Sequence, residues 1–250
     1  MTNASATPFI DVKGLTMGWG DTVLLKDASF HVDRGDIFAI LGGSGCGKST
    51  LLRYLIGLDE PLAGEVTIDG LGRPNLAVGR PPFGVMFQSG ALFSSLTVGE
   101  NVGLALEHWT KLPYEAIGAL VRSKLKLVGL DNAANKLPSE LSGGMKKRAA
   151  IARAMALEPS LLFLDEPSAG LDPVSAVELD ELILTLNSVL GLTVVLVTHE
   201  LASIFKIAKR VIMLDKESKS IIARGDPGEL RDQCDDPRVH CFFNREKGPA

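Results

Sequence analysis

Lys48 and Ser49 stand at the end of a glycine-rich run, Gly42-Gly43-Ser44-Gly45-Cys46-Gly47-Lys48-Ser49-Thr50, which follows the apolar stretch Ile37 to Leu41 and precedes apolar residues at helical spacing from Ser49 to Leu58. A strand, a curled glycine loop and a helix start in that order form a phosphate cradle. The glycines let successive N–H groups turn inward, and the helix N-terminus adds partial positive charge. In such a P-loop, Lys48 reaches the β- and γ-phosphates of a nucleotide and the Ser49 hydroxyl ligates Mg²⁺. Cys46 fills an unconstrained position of the pattern and needs no role of its own.

A second chemical centre lies at Leu161-Leu162-Phe163-Leu164-Asp165-Glu166, where two carboxylates close an apolar run. At the carboxyl end of a buried strand, Asp165 is placed to hold Mg²⁺ and Glu166 to polarise the water that attacks a γ-phosphate. His199 ends the next apolar run, Val194 to Thr198, and is placed to donate a hydrogen bond to the same phosphate. Either feature alone has a plainer reading: solvated loop acids in one case and a partly buried structural histidine in the other. The P-loop decides for the chemical one.

These residues need a scaffold, and the pattern predicts one. Short β segments at Ile10 to Leu15, Val23 to Leu25 and Ser29 to Val32 are interrupted by a turn-rich loop, Met17-Gly18-Trp19-Gly20-Asp21. Strands are expected again at Glu65 to Ile68 and Gly84 to Phe87. From about residue 93 to 158 the pattern turns helical, with helices expected at Val98 to Trp109, Tyr114 to Val128 and Gly143 to Leu157. The strands Leu161 to Leu164 and Val194 to Thr198 then flank a helix from Val174 to Leu190, the βαβ pattern of a parallel sheet buried on both faces. The expected fold is therefore α/β: a P-loop core with a mainly parallel sheet, an N-terminal antiparallel β subdomain and an inserted α-helical subdomain. Residues 8–230 form the main domain, and the polar stretch 231–250 is an extension expected to lie outside the core.

Composition sets limits. A chain of 250 residues, 46% hydrophobic, can bury a large core. Its net charge of −4 argues against nucleic acid as the main partner, because phosphate-backbone binding calls for a basic surplus. Mean hydropathy is slightly positive at +0.19, yet no apolar run approaches the roughly 20 residues of a membrane span. Residues 1–8 carry no secretory pattern, so a cytoplasmic location is expected. The three cysteines lack metal or disulfide spacing.

The P-loop and the acidic strand end would also suit kinases, GTPases or helicases. Leu141-Ser142-Gly143-Gly144-Met145, lying between them before an apolar helix, resembles the signature sequence of the ABC ATPases. Further elements fall in that family's order. Trp19 is similar to the aromatic that stacks on adenine, Gln88 to the glutamine that senses Mg²⁺ and contacts the membrane partner, Ala169-Gly170-Leu171-Asp172 to the loop crossing to the other subunit, and His199 to the switch histidine. Two departures stand out: Met145 replaces the usual glutamine and Trp19 the more frequent tyrosine. A tryptophan face stacks as well as a tyrosine face.

The resemblance implies an ATP hydrolase that uses ATP and Mg²⁺ and works as a head-to-tail dimer. Each nucleotide would lie between the P-loop of one subunit and Ser142, Gly143 and Gly144 of the other, with Glu166 as base and Asp172 near the crossing. The stretches Phe87 to Phe93, Pro138 to Met145 and Asp236-Pro237-Arg238-Val239 further resemble the ATPase of MCE-associated phospholipid transporters. That likeness implies a membrane permease, an MCE-type lipid-binding protein and a small regulatory subunit as partners, at the cytoplasmic face of the inner membrane. The alternatives are the ATPase of another importer or exporter, or a soluble ABC ATPase of DNA repair or translation. The soluble proteins usually carry a long coiled-coil insertion or a second ATPase domain, and neither is present here. A nucleotide-binding subunit without turnover is disfavoured by the presence of Lys48, Asp165, Glu166 and His199 together.

Overall fold

The computed structural model describes residues 8–20, 22–76 and 79–246. Asp21 of the expected turn, residues 1–7 and the terminal Gly248-Pro249 lie outside the described residues. The chain divides into two compact units, one formed by residues up to 79 together with those from 195 onward, the other by residues 80–194.

In the first unit, β1 (Ile10–Trp19), β2 (Thr22–Val32) and β4 (Ala63–Ile68) form an antiparallel sheet in the order β2-β1-β4. The two short strands expected at 23–25 and 29–32 are one long strand. A bulge absorbs their mismatch, since the β1–β2 register shifts between Leu15 and Met17, where β2 carries the extra residue beside Asp27, which lies in the left-handed region at φ 50°. The expected loop at 17–21 is also narrower: β1 runs on to Trp19, which pairs with Thr22 across the hairpin.

The same unit holds β3 (Ile37–Gly42), buried along its whole length, with β8 (Arg210–Asp215) parallel to it and β9 (Ser220–Gly225) antiparallel to β8. Burial on both faces explains why β3 reads as a continuous apolar run with no alternation. Helices α1 (Lys48–Leu55), α6 (Leu201–Ile207), α7 (Pro227–Gln233) and α8 (Pro237–Asn244) complete the unit.

The tail corrects an expectation. Helix α7 runs across position 230, and α8 buries Val239 and Phe243, with Phe243 packed on Phe205 of α6 at a ring separation of 5.6 Å. Arg238 bonds Asp215 at the end of β8 at 2.9 Å. The apolar residues of α8 recur at helical spacing among polar ones, so the segment looks solvated when judged by composition alone.

In the second unit, β5 (Gly84–Met86) and β6 (Leu161–Asp165) pair in parallel. Helices α2 (Val98–Trp109), α3 (Tyr114–Leu127) and α4 (Gly143–Ala154) pack on one another, and α4 also packs on β5. The helices expected at 93–158 thus share a unit with β5, β6 and α5 (Pro173–Leu190). Thr97 and Glu100 start α2 with a reciprocal capping box. Asp172 caps α5, Pro173 occupies its first turn, and Gly191 ends it in the left-handed region at φ 65°. Strand β7 (Thr193–Val197) begins in this unit and ends in the other.

Candidate active site

In the first unit the chain leaves β3 and curls through the glycine loop into α1. Gly42 and Gly47 are two positions where glycine is required. Gly42 has φ 143°, and a Cβ there would lie 2.5 Å from the Leu214 carbonyl oxygen and 2.6 Å from Cys46 Sγ; Gly47 caps α1 at φ 98°. Gly43, Ser44, Gly45 and Ser49 are exposed, while Gly47, Lys48 and Thr50 are half-buried. Lys48 Nζ donates to the carbonyl oxygens of Gly42 (2.9 Å) and Gly43 (3.1 Å), so the ammonium lies folded over the loop whose amides form the cradle.

Cys46 has a role that the pattern did not suggest. Its side chain is buried against Gly42, and burial raises its thiol pKa. It is a packing residue, a poor nucleophile held as the neutral thiol.

Trp19, 56% exposed, ends β1 beside the hairpin turn. Tyr54 of α1 fixes that strand end: its hydroxyl accepts from the Gly18 N–H at 3.3 Å and donates to the Gly18 carbonyl at 3.0 Å. The helix that opens at the phosphate loop therefore also anchors the aromatic expected to stack on adenine. His199 follows β7 with an exposed side chain, 3.7 Å from the Glu200 carboxylate. The Thr198 N–H just before it donates to Ile40 of β3 at 3.4 Å.

In the second unit, Asp165 ends β6 and Glu166 follows, each 6% exposed. Glu166 adopts φ 48°, a left-handed conformation that costs a residue other than glycine about 1–3 kcal/mol and persists only where its surroundings enforce it. The surroundings are Lys147 and Ala169. The Glu166 carbonyl accepts from Lys147 Nζ at 3.0 Å and from the Ala169 N–H at 3.2 Å.

Lys147 lies on α4, is 7% exposed, and donates also to the Gln88 carbonyl at 2.6 Å. Burial pushes its pKa down, against the pull of the Glu166 and Asp165 carboxylates. Arg153, on the same helix, donates to the carbonyls of Gly90 (2.8 Å) and Ala91 (2.5 Å). Gln88 itself is exposed, at the head of this pinned loop.

The loop beyond is pinned too. Asn101 of α2 is fully buried, accepts from the Phe93 N–H at 2.8 Å, and donates to the carbonyls of Phe93, Leu96 and Thr97.

Ser142 caps α4 through a bond from the Met145 N–H at 3.3 Å. The cap uses the backbone of position 145, so methionine serves there as well as glutamine. Gly143 and Gly144 lie against the start of α5; Cβ atoms built on them would meet Leu171 Cδ2 and Ser175 Cβ, each at 3.3 Å. Asp172 accepts from the Val174 and Ser175 amides at 3.1 and 3.0 Å. Hydrogen bonds from Ser175, first its hydroxyl and then its amide, hold the Asp172 carboxyl below its ordinary range.

Of the expected residues, Trp19, Gly42 to Thr50 and His199 thus belong to the first unit, and Gln88, Ser142, Gly143, Gly144, Asp165, Glu166 and Asp172 to the second. The metal-directed set of Ser49, Gln88 and Asp165 offers only hydroxyl, amide and carboxylate oxygens, the donors that suit Mg²⁺. Sequence reading missed Tyr54, Asn101, Lys147 and Arg153, because each acts through backbone atoms, which for Tyr54, Lys147 and Arg153 are distant in the chain, and none belongs to a motif.

A family model described as ABC transporter matches residues 25–169. The "Intermembrane phospholipid transport system ATP-binding protein MlaF" of Escherichia coli is 41% identical over 245 residues, covering 96% of this chain and 90% of that protein. The "Probable ribonucleotide transport ATP-binding protein mkl" of Mycobacterium leprae is 39% identical, over 96% of this chain and 70% of that one. Among solved structures, cbiO1 of Clostridium perfringens, part of an ABC transporter complex, superposes with a TM-score of 0.81 at 31% identity, over 94% of this chain and 95% of that one. A dimeric ATP-binding cassette, MJ0796, in a post-hydrolysis state bound to ADP and phosphate, superposes at 0.77 with 31% identity, over 87% of this chain and 98% of that one.

Proposed function

This chain belongs to the ABC transporter family, as one of its ATP-hydrolysing subunits, and from that premise we propose that it powers phospholipid movement between two membranes through a separate permease. The observation that carries the cargo assignment is the 41% identity to the phospholipid-system subunit, sustained over 96% of this chain. The ATPase domain proper spans residues 8–230, with the helical part at 93–158, and the segment beyond it, packed on α6 through Phe243, serves in assembly. No helix among the described residues is long and apolar enough to cross a membrane, which suits a subunit held to the cytoplasmic face of the inner membrane by its permease.

The loop amides from Gly43 to Lys48 bind the phosphates, and Lys48 exchanges its two loop carbonyls for β- and γ-phosphate oxygens. Trp19 stacks on the adenine. Ser49, Gln88 and Asp165 would hold Mg²⁺, which would neutralise charge on the β- and γ-phosphates. Glu166 orients and deprotonates the attacking water, and His199 donates to the γ-phosphate. Ser142, Gly143 and Gly144 present a helix start to the nucleotide of a second copy, and Asp172 stands at that crossing. ATP then favours the closed dimer because it contacts both subunits only there, and loss of the γ-phosphate releases it. The loop from Ser89 to Val98 and helices α2 and α3 carry that motion to the permease.

Affinity purification of the wild-type chain and Glu166→Gln from native membranes tests the reading. A multi-span permease, an MCE-type protein and phospholipid should co-purify, a small regulatory subunit with them, and the variant should lose at least about 100-fold in turnover while still binding ATP. Recovery of a permease with another cargo, as the name of the mycobacterial relative would suggest, refutes the phospholipid assignment and leaves the ATPase. A purely soluble complex refutes transport.

A further inference from the structure

We propose that Lys147 is a positioning residue for hydrolysis, tying the Gln88 loop to the backbone of Glu166 so that the state of the one sets the place of the other. The inference rests on the reading of Glu166 as the base.

The geometry is specific. One buried ammonium on α4 bridges two carbonyls, of Gln88 at 2.6 Å and Glu166 at 3.0 Å, that lie 59 and 19 residues away from it in the chain. An ammonium is costly to bury unless hydrogen-bonded, and a neutral apolar side chain would fill the same place at lower cost, so packing alone gives no reason for a lysine. Its two bonds reach the peptide groups of two residues that carry the chemistry. At Glu166 the bonded carbonyl belongs to a residue in the left-handed region, where the direction of the peptide plane and that of the side chain are set together. Tilting that peptide swings the carboxylate away from its water.

The bridge also gives movement of the Gln88 loop a physical route to the base. Arg153 pins the carbonyls of Gly90 and Ala91, so residues 88–91 are held to α4 as a block. Displacing that block on α4 pulls on the Lys147 ammonium, whose other bond is to Glu166. A lysine has three rotatable donors and can keep both bonds through a small shift, whereas removing its nitrogen breaks them together.

Three variants of the full chain separate this from a merely structural pin. Lys147→Met removes both bonds at nearly constant volume and should lower kcat by about 30- to 100-fold, the scale of a misplaced catalytic group, while the KM for ATP moves by less than about threefold. Lys147→Arg, which can reach both carbonyls, should recover to within about fivefold of wild type, and Lys147→Gln should fall between. Amide exchange without nucleotide gives a readout independent of turnover: in Lys147→Met the Ala169 N–H, bonded to the Glu166 carbonyl, and the Gly90 N–H, bonded to that of Phe87, should exchange faster together.

A Lys147→Met enzyme within about threefold of wild-type kcat overturns the proposal, as does equal loss of kcat and ATP affinity without rescue by arginine. So does faster exchange at Gly90 with none at Ala169. If Lys147→Met fails to fold, the Arg and Gln variants carry the same comparison. If the wild-type chain turns over no ATP, the reading of Glu166 fails, and the exchange experiment still decides whether the tether exists.

Discussion

Asn101→Ala should destabilise the chain by about 3 kcal/mol, and the estimate follows from the partners of one side chain. Asn101 makes four hydrogen bonds with the loop 93–97 from a fully buried position. Two of the groups it serves have a second partner. The Thr97 carbonyl also accepts from the Asn101 backbone N–H at 2.9 Å, and the Phe93 carbonyl from the Leu96 N–H at 3.2 Å. Those two should cost a few tenths of a kcal/mol each, whereas the Phe93 N–H and the Leu96 carbonyl lose the bond that the amide supplied, at about 1–1.5 kcal/mol each. Urea unfolding followed by far-UV circular dichroism, at unchanged m, measures the sum as a shift in midpoint. Asn101→Asp sharpens the test. It keeps the acceptor for the Phe93 N–H but sets a carboxylate against three carbonyls, so it should be worse than alanine. A loss below about 1 kcal/mol for alanine, or an aspartate milder than alanine, refutes the assignment of the loop's order to this amide.

The adenine side yields a second expectation. Tyr54→Phe removes both bonds to Gly18 and should cost about 1–2 kcal/mol; by loosening the strand end that presents Trp19 it should also raise the KM for ATP severalfold, read in a steady-state ATPase assay, with kcat unchanged. Asp172 supplies a pH dependence. Because its carboxyl is held below the ordinary range by Ser175, its cap stabilises α5 above an unfolded value of about 3.9 and is lost as pH falls through the depressed folded value. Asn can cap without titrating, so the melting temperature of the wild type should fall relative to Asp172→Asn on acidification below about pH 4; parallel curves from neutral pH downward would refute this.

The chemistry of this chain is legible in its sequence because motif residues act through constraints that are local. Gly42 to Thr50 need only a preceding strand and a following helix to form a phosphate loop, and both announce themselves by apolar pattern. The same holds for Asp165 and Glu166 at the end of β6, for Ser142 as the cap of α4 and for Asp172 as the cap of α5, since a cap bonds amides two or three residues away. The start of helix α2 is marked by Thr97 and Glu100 for that reason. Compact order at longer range is another matter. The bulge at Asp27 that joins two expected strands into β2 depends on register with β1. Helix α8 looks like a solvated tail until Val239 and Phe243 find a surface to bury against.

The residues that hold the site in place were decided only by tertiary structure. Tyr54 reaches 36 residues back to Gly18, and Lys147 reaches 59 back to Gln88 and 19 forward to Glu166. Their partners are backbone atoms, which every residue carries, so no pairing of side-chain types records the contact. Cys46 shows the same division at a single position: the phosphate-loop pattern leaves its identity open, and only the packing of its sulfur against Gly42 gives it a function. Sequence determines which groups can do the chemistry because those groups are scarce and their spacing is short. Where those groups are held is set by hydrogen bonds to common atoms, and only the folded chain shows which atoms those are.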